Sequence, residues 1–192
     1  MLVVGVGVNR LSRKKLYLLI ALVGSVLIGA MFCFRYQHNI EAALWHRAHG
    51  NYVAIGEHRM MVPPLWWEGE PEIPNQTMLV RVHLSGDDSE PKIGVMGTGP
   101  GKVTHTDEDE LQLVRAMVNS SNLKPQPEWT HSLVSLSGKK FNWYCIRSDL
   151  FILNANISTT LNCYTASLPY ALDYSGPPAL EKEAESIFQG IE

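Results

Sequence analysis

The longest uninterrupted apolar run covers residues 16–34, LYLLIALVGSVLIGAMFCF, nineteen positions without a charge. A helix of that length rises about 28 Å, close to the thickness of a bilayer's hydrocarbon core. The run predicts a transmembrane helix over residues 16–36, and its Gly24 and Gly29 are of a kind that membrane helices tolerate. Residues 37–49, QHNIEAALWHRAH, continue a helical pattern and read as a stalk ended by Gly50, as glycine commonly ends a helix. Next, NYVAIGEHRMMVP alternates about Gly56-Glu57. This predicts a hairpin with a type II′ turn that pairs Val53 with Met60 and Ile55 with His58.

Pro63 and Pro64 stop that second strand, and WWEGEPEIPNQ reads as a loop by its prolines, glycine and charges. TMLVRVHL sets Met78, Val80, Val82 and Leu84 against Arg81 and His83, the alternation of a strand buried on one face. KIGVMG is a further strand, returning beside it. A helix follows over Asp107–Asn119, capped by Thr106 or Asp107, with DEDE at the end where the dipole favours negative charge. Its apolar stripe is Leu111, Val114 and Val118. Three strand-like runs come after it, WTHSLVSL, FNWYCIRS and TTLNCYTASL, the first two joined by a turn at Gly138-Lys139. The last element, PPALEKEAESIFQGI, is a proline-opened helix with Leu180, Ala184, Ile187, Phe188 and Ile191 on one side.

The order is thus membrane helix, stalk, four strands, helix, three strands, helix. The expected fold class is α+β, a membrane helix followed by an antiparallel-sheet domain with two covering helices. Residues 1–15 form a basic tail, 16–36 the span, 37–49 the stalk and 50–192 the domain. The hairpin ending in RMMVPPLWW, the mid-chain helix, the strand meander and the closing LEKEAESIFQGI together resemble the PsbP/Mog1 group of α+β sandwich domains. The resemblance lies in arrangement, covers residues 50–192 and implies a non-enzymatic binding or assembly module. It implies no site residues.

Charge orients the chain. Arg10, Arg13, Lys14 and Lys15 precede the apolar run, whereas Arg35 follows it alone. The positive-inside rule then puts the N-terminus in the cytoplasm and the domain outside it, as a signal-anchor would. A cleaved signal peptide is the rival reading, but the run is long and no A-x-A pattern follows it. Residues 1–36 hold five basic and no acidic residues, which leaves 11 basic against 19 acidic beyond them, a formal charge of −8. Such a domain is a poor match for nucleic acid, whose binding rests on phosphate neutralisation. The expected partners are the lipid bilayer, through residues 16–36, and a membrane-protein partner. Cys33 lies in the apolar run, and Cys145 and Cys163 lie on neighbouring strand-like runs. A hairpin centred near Asn154 sets the latter two opposite each other, within disulfide reach and in an oxidising compartment.

Candidate chemistry is sparse. IGVMGTGPGK, residues 93–102, looks like a phosphate loop. A Walker motif would need glycine where Met96 stands and a hydroxyl where Val103 stands, and the acidic helix behind it repels phosphate. It reads as a connector, with no nucleotide. His46 and His49 share a helix face but lack a third ligand for a metal. Ser132, Ser135 and Ser137 lie near His131, yet neighbours along a strand point to opposite faces, so His131–Ser132 is no dyad. No cofactor motif is present. Asn75, Asn119 and Asn156 begin N-x-S/T patterns that accept glycans in eukaryotic secretion. Trp66 and Trp67 are the candidate binding residues: an extended chain turns them to opposite faces, so that one plugs the core and the other meets solvent, a ligand or a partner, while the other reading packs both under the loop that follows. A non-catalytic binding or assembly role is the favoured function. The alternative is an extracytoplasmic, hydrolase-like enzyme with a site built from distant residues. A pocket gathering two histidines and a carboxylate would mark that alternative.

Overall fold

The computed structural model describes residues 13–71, 76–82, 90–97, 106–123, 126–153 and 155–192. The chain divides into two compact units, one up to Gln37 and one from His38 to Glu192.

In the first unit, helix α1 (Arg13–Arg35) takes up the apolar run. Its window Tyr17–Arg35 has no buried residue and is long and apolar enough to cross a membrane. Ser25, its one hydroxyl in the middle of the run, donates to the Leu22 carbonyl at 2.8 Å, so its hydrogen is satisfied within the helix.

The second unit is an α+β domain. Helix α2 (Gln37–His49) closes on Gly50, whose φ of +77° suits a glycine after a helix. Strands β1 (Tyr52–Ile55) and β2 (His58–Met61) form the expected hairpin, with Val53 opposite Met60 and Ile55 opposite His58. Gly56 sits at the first turn position with φ +59° and its Cα against the Tyr170 hydroxyl, where a Cβ would collide. The main sheet has seven antiparallel strands: β3 (Trp66–Glu68), β4 (Thr77–Arg81), β5 (Lys92–Gly97), β6 (Trp129–Ser137), β7 (Asn142–Ile152), β8 (Ala155–Tyr164) and β9 (Tyr170–Gly176). Their order is β3-β4-β5-β9-β8-β7-β6. Two meanders therefore meet at the β5–β9 pair, and helix α3 (Asp107–Asn122) carries the chain from β5 to the far edge at β6.

One face of the sheet is closed by the β1–β2 hairpin and helix α4 (Glu181–Gln189). Val53, Met60, Trp66, Leu79, Ile93, Trp143, Leu161, Leu172, Ala184, Ile187 and Phe188 form one continuous core there. Backbone bonds between Arg59 and Glu192 in both directions, at 2.7 and 3.0 Å, fasten the end of the chain to β2. On the other face, α3 packs across β6 and β7 through Val114 and Val118. Its N-terminus is held by the Thr106–Asp109 capping box.

Four expectations are corrected. WWEGEPEIPNQ does not begin as a loop, because Trp66–Glu68 pairs with β4 as an edge strand. Strand β9 was not foreseen, since Asp173, Ser175 and Gly176 are poor strand formers, and its pairing on both sides overrides propensity. β4 is buried on both faces rather than one. The predicted stalk is part of the domain: Ala42 of α2 is buried against Trp67, Met78 and Val80, with Trp45 and Val82 beside them. The sheet is therefore covered by three helices, not two. The connector at residues 98–105 and Leu84 lie outside the described residues.

Tyr174 ties the core to the start of α4. Its hydroxyl donates to the Pro177 carbonyl at 2.6 Å. Burial, and then the nearby Glu181 carboxylate, push the phenol well above its usual value. The folded state thus holds this proton more tightly than the unfolded one. Its contribution is complete below the unfolded tyrosine value of about 10 and is lost as pH rises beyond it. Tyr174→Phe is expected to cost ~1 kcal/mol at neutral pH and to flatten the alkaline loss of stability. Urea unfolding at neutral pH and above pH ~10 measures both effects. Tyr164 and Tyr144, also raised by burial first, supply the slope that remains.

Candidate functional site: a polar groove beside α3

Side chains alternate across a sheet, so the residues between those of the core belong to the α3 face. On β6, β7, β8 and β9 one cross-strand row of that face reads His131, Ser148, Thr160 and Ser175. The C-terminal turn of α3 stands over the edge of this row. A tight turn, with Trp129 N–H donating to the Gln126 carbonyl at 2.9 Å, closes the end. The result is a shallow groove of about 460 Å³, largely open to solvent, lined by Ser120, Ser121, Gln126, Trp129, His131, Ser148 and Thr160.

The groove is held together from within. His131 Nδ1 lies 2.8 Å from Ser148 Oγ, and Asn122 Nδ2 donates to the His131 carbonyl at 3.3 Å, tying α3 to β6. Ser121 donates to the Met117 carbonyl at 3.1 Å, which leaves its oxygen lone pairs to accept. No lysine, arginine or carboxylate is among the described residues that line it. A serine nucleophile would need a base oriented by a third group. Here Ser148 is buried, and among the described residues no carboxylate contacts the His131 ring.

A second polar cluster lies on the core face. Arg147 grips Glu181 with two nitrogens, at 2.7 and 2.9 Å, and Asp149 with a third at 3.0 Å. Asp149 also accepts from Thr159 at 2.6 Å and from Asn156 at 2.8 Å. Its members bond one another, which is the arrangement of a structural clamp between β7, β8 and α4.

The residues singled out from sequence are placed as follows. Trp66 and Trp67 do point to opposite faces, but both are buried, at 0% and 9% exposure. Of the two readings, burial of both is the one observed, and α2 rather than the following loop covers the second face. Trp66 joins the main core and donates to Glu183 Oε1 at 3.0 Å. Trp67 stacks on His38, with ring centroids 5.8 Å apart. Cys145 and Cys163 are disulfide-bonded, directly opposite in the β7–β8 register. His46 Nε2 faces the Pro63 and Trp66 carbonyls at 3.0 and 2.9 Å. Carbonyls only accept, so that nitrogen donates and offers no lone pair to a metal. His49 stacks on Trp45. Among the described residues no group of three His, Cys, Asp or Glu is arranged to hold a metal. Asn156 spends its amide on Asp149, Asn119 is exposed on α3, and Asn75 lies outside the described residues.

The groove was not foreseen because its partners are far apart in sequence. A turn centred on Gly138-Lys139 would set His131 opposite Ile146. The loop instead takes in residues 138–141, with Ser137 opposite Asn142, and moves Ser148 into place. No local pattern marks the groove in the sequence, since Ser120 and Ser121 adjoin on α3 while Ser148 and Thr160 stand on separate strands.

No family model matches the sequence, and no curated protein matches it. In structure the chain is similar to the solution structure of cyanobacterial PsbP (CyanoP) from Synechocystis sp. PCC 6803, of the group that its order of elements resembles. The likeness covers 73% of this chain and 90% of that one, at 9% identity and a TM-score of 0.43.

Proposed function

We propose that this is a single-pass membrane-anchored protein whose domain lies outside the cytoplasm and works by binding or assembly rather than by catalysis. The observation that carries the reading is α1. A helix presenting Leu18, Leu19, Ile20, Leu22, Val26, Leu27 and Ile28 to its surroundings is costly in water and at home in lipid. The basic residues ahead of it favour a cytoplasmic N-terminus. The Cys145–Cys163 bridge argues independently for an oxidising compartment around the domain. Residues 1–15 are then a cytoplasmic tail and residues 16–36 the span. Binding is favoured over hydrolysis because the described residues of the groove include one histidine and no carboxylate.

Alkaline phosphatase fused after Glu192 is expected to be active and a fluorescent-protein fusion at the same point dark; the reverse pattern would overturn the orientation. The fusion is expected to stay in the membrane pellet through carbonate extraction, and release into the supernatant would remove the anchor. Covalent labelling of Ser148 by a fluorophosphonate would overturn the non-catalytic reading in favour of a hydrolase.

A further inference from the structure

We infer that the groove beside α3 is a binding site for a neutral, polyhydroxylated ligand, a segment of uncharged oligosaccharide, laid against Trp129 and read by the hydroxyl row beneath it. This deepens the binding reading above and rests on it.

The chemistry of the lining selects the class. Ser120, Ser121, Ser148 and Thr160 each carry a hydroxyl, Gln126 a carboxamide and His131 an imidazole. Hydroxyls and carboxamides both donate and accept, as sugar hydroxyls do. A purely apolar ligand would strip water from these groups without replacing its hydrogen bonds, at a cost of about 1–3 kcal/mol for each one left unpaired. A strongly charged ligand finds no counter-charge among the described lining residues, and the domain's 11 basic against 19 acidic residues disfavour anions in particular. Among the described lining residues the large apolar surface is the half-buried Trp129 indole, suited to the C–H face of a sugar ring as an amphipathic aromatic.

Preorganisation points the same way. Ser148 Oγ and His131 Nδ1 are already engaged with each other at 2.8 Å, and both residues line the groove. The strands beneath are bound on both sides, β7 between β6 and β8, and β8 between β7 and β9, so Ser148 and Thr160 are held without help from a ligand. The groove of about 460 Å³ is largely open to solvent, which suits one segment of a longer chain rather than an enclosed small molecule. The open side would let a longer chain run on into solvent.

The test uses the full chain in lipid nanodiscs, because maltoside detergents carry the ligand chemistry themselves. Saturation-transfer NMR with cellotetraose, maltotetraose and chitotetraose is expected to show transfer to at least one of them. That signal should drop at least five-fold in Trp129→Ala and also in Thr160→Val, which keeps the side chain's shape and removes its hydroxyl. Leu113→Ala, on the exposed side of α3, should leave it unchanged, and thermal melts of all three variants check that each is folded. No transfer from any of the three probes, equal transfer in folded Thr160→Val, or preferential binding of oligogalacturonate would overturn the assignment. If the probes fail while a protein partner co-purifies equally with wild type and Trp129→Ala, this assignment falls and the binding reading stands. Labelling of Ser148 by a fluorophosphonate removes both.

Discussion

Replacing Arg147 with methionine is expected to destabilise the domain by about 3 kcal/mol, toward the lower end of the cost of breaking a buried ion pair. The guanidinium is the counter-charge for two carboxylates, Glu181 at 2.7 Å and Asp149 at 3.0 Å, whose residues are only 9% and 6% exposed. Removing it leaves two negative charges facing each other with little water to screen them. Because 30% of the Arg147 side chain reaches solvent, part of the attraction is already screened, hence the lower end of the range. Urea unfolding should show a lower midpoint at unchanged slope. The combined variant Arg147→Met, Asp149→Asn, Glu181→Gln should recover much of the loss, since no unpaired charge then remains. A single variant within 1 kcal/mol of wild type would mean that the cluster is solvated and no clamp. Glu181 opens α4, so the same substitution should loosen that helix first, visible as faster amide exchange over residues 181–189 than over α3.

Loss of the Cys145–Cys163 bridge is the other large effect, and the double alanine variant is expected to cost about 3 kcal/mol. Cysteines 18 positions apart close a loop whose removal from the unfolded ensemble is worth roughly that much in the chain-entropy account. Both residues are fully buried in the main core, so alanine also removes packed sulfur from between Leu161, Leu172 and Trp143. Thermal unfolding with and without reductant measures the total. The variant should melt at one temperature in either condition, and wild type should fall to nearly that temperature only when reduced. Non-reducing peptide mapping of protein taken from its native membrane supplies the cellular arm. Free thiols at both positions would sink the bridge in vivo, and with it the stronger half of the argument for an extracytoplasmic domain.

Elements governed by near neighbours were legible before any coordinates. The charge-free run became α1. Gly50 ended α2, and Gly56-Glu57 set the β1–β2 register because a two-residue turn leaves the pairing no freedom. Of the closing helix's predicted stripe, Ala184, Ile187, Phe188 and Ile191 are buried in the core and Leu180 packs against its edge. The cysteine pairing also came out of local counting: the register from Tyr144↔Tyr164 to Leu150↔Ser158 is centred on Asn154, and the irregularity after Leu150 falls beyond the cysteines.

Everything that depends on which surfaces meet needed the tertiary structure. Trp66 and Trp67 show the limit most clearly. Alternation along an extended strand correctly sends them to opposite faces, but no periodicity says that α2 lies across the second face and buries Trp67 with Met78 and Val80. Strand β9 is another case, for Asp173 and Gly176 would break an isolated strand, while hydrogen bonds from β5 and β8 on either side sustain it. The groove depends on a loop of residues 138–141 that aligns His131 with Ser148, and on the end of α3 arriving above them. Local sequence carries the energies of turns, caps and stripes, which involve residues a few positions apart. The covering of a face and the alignment of distant strands come from burying apolar area and pairing backbone groups across the whole domain, and those terms take their values only when all the elements are present together.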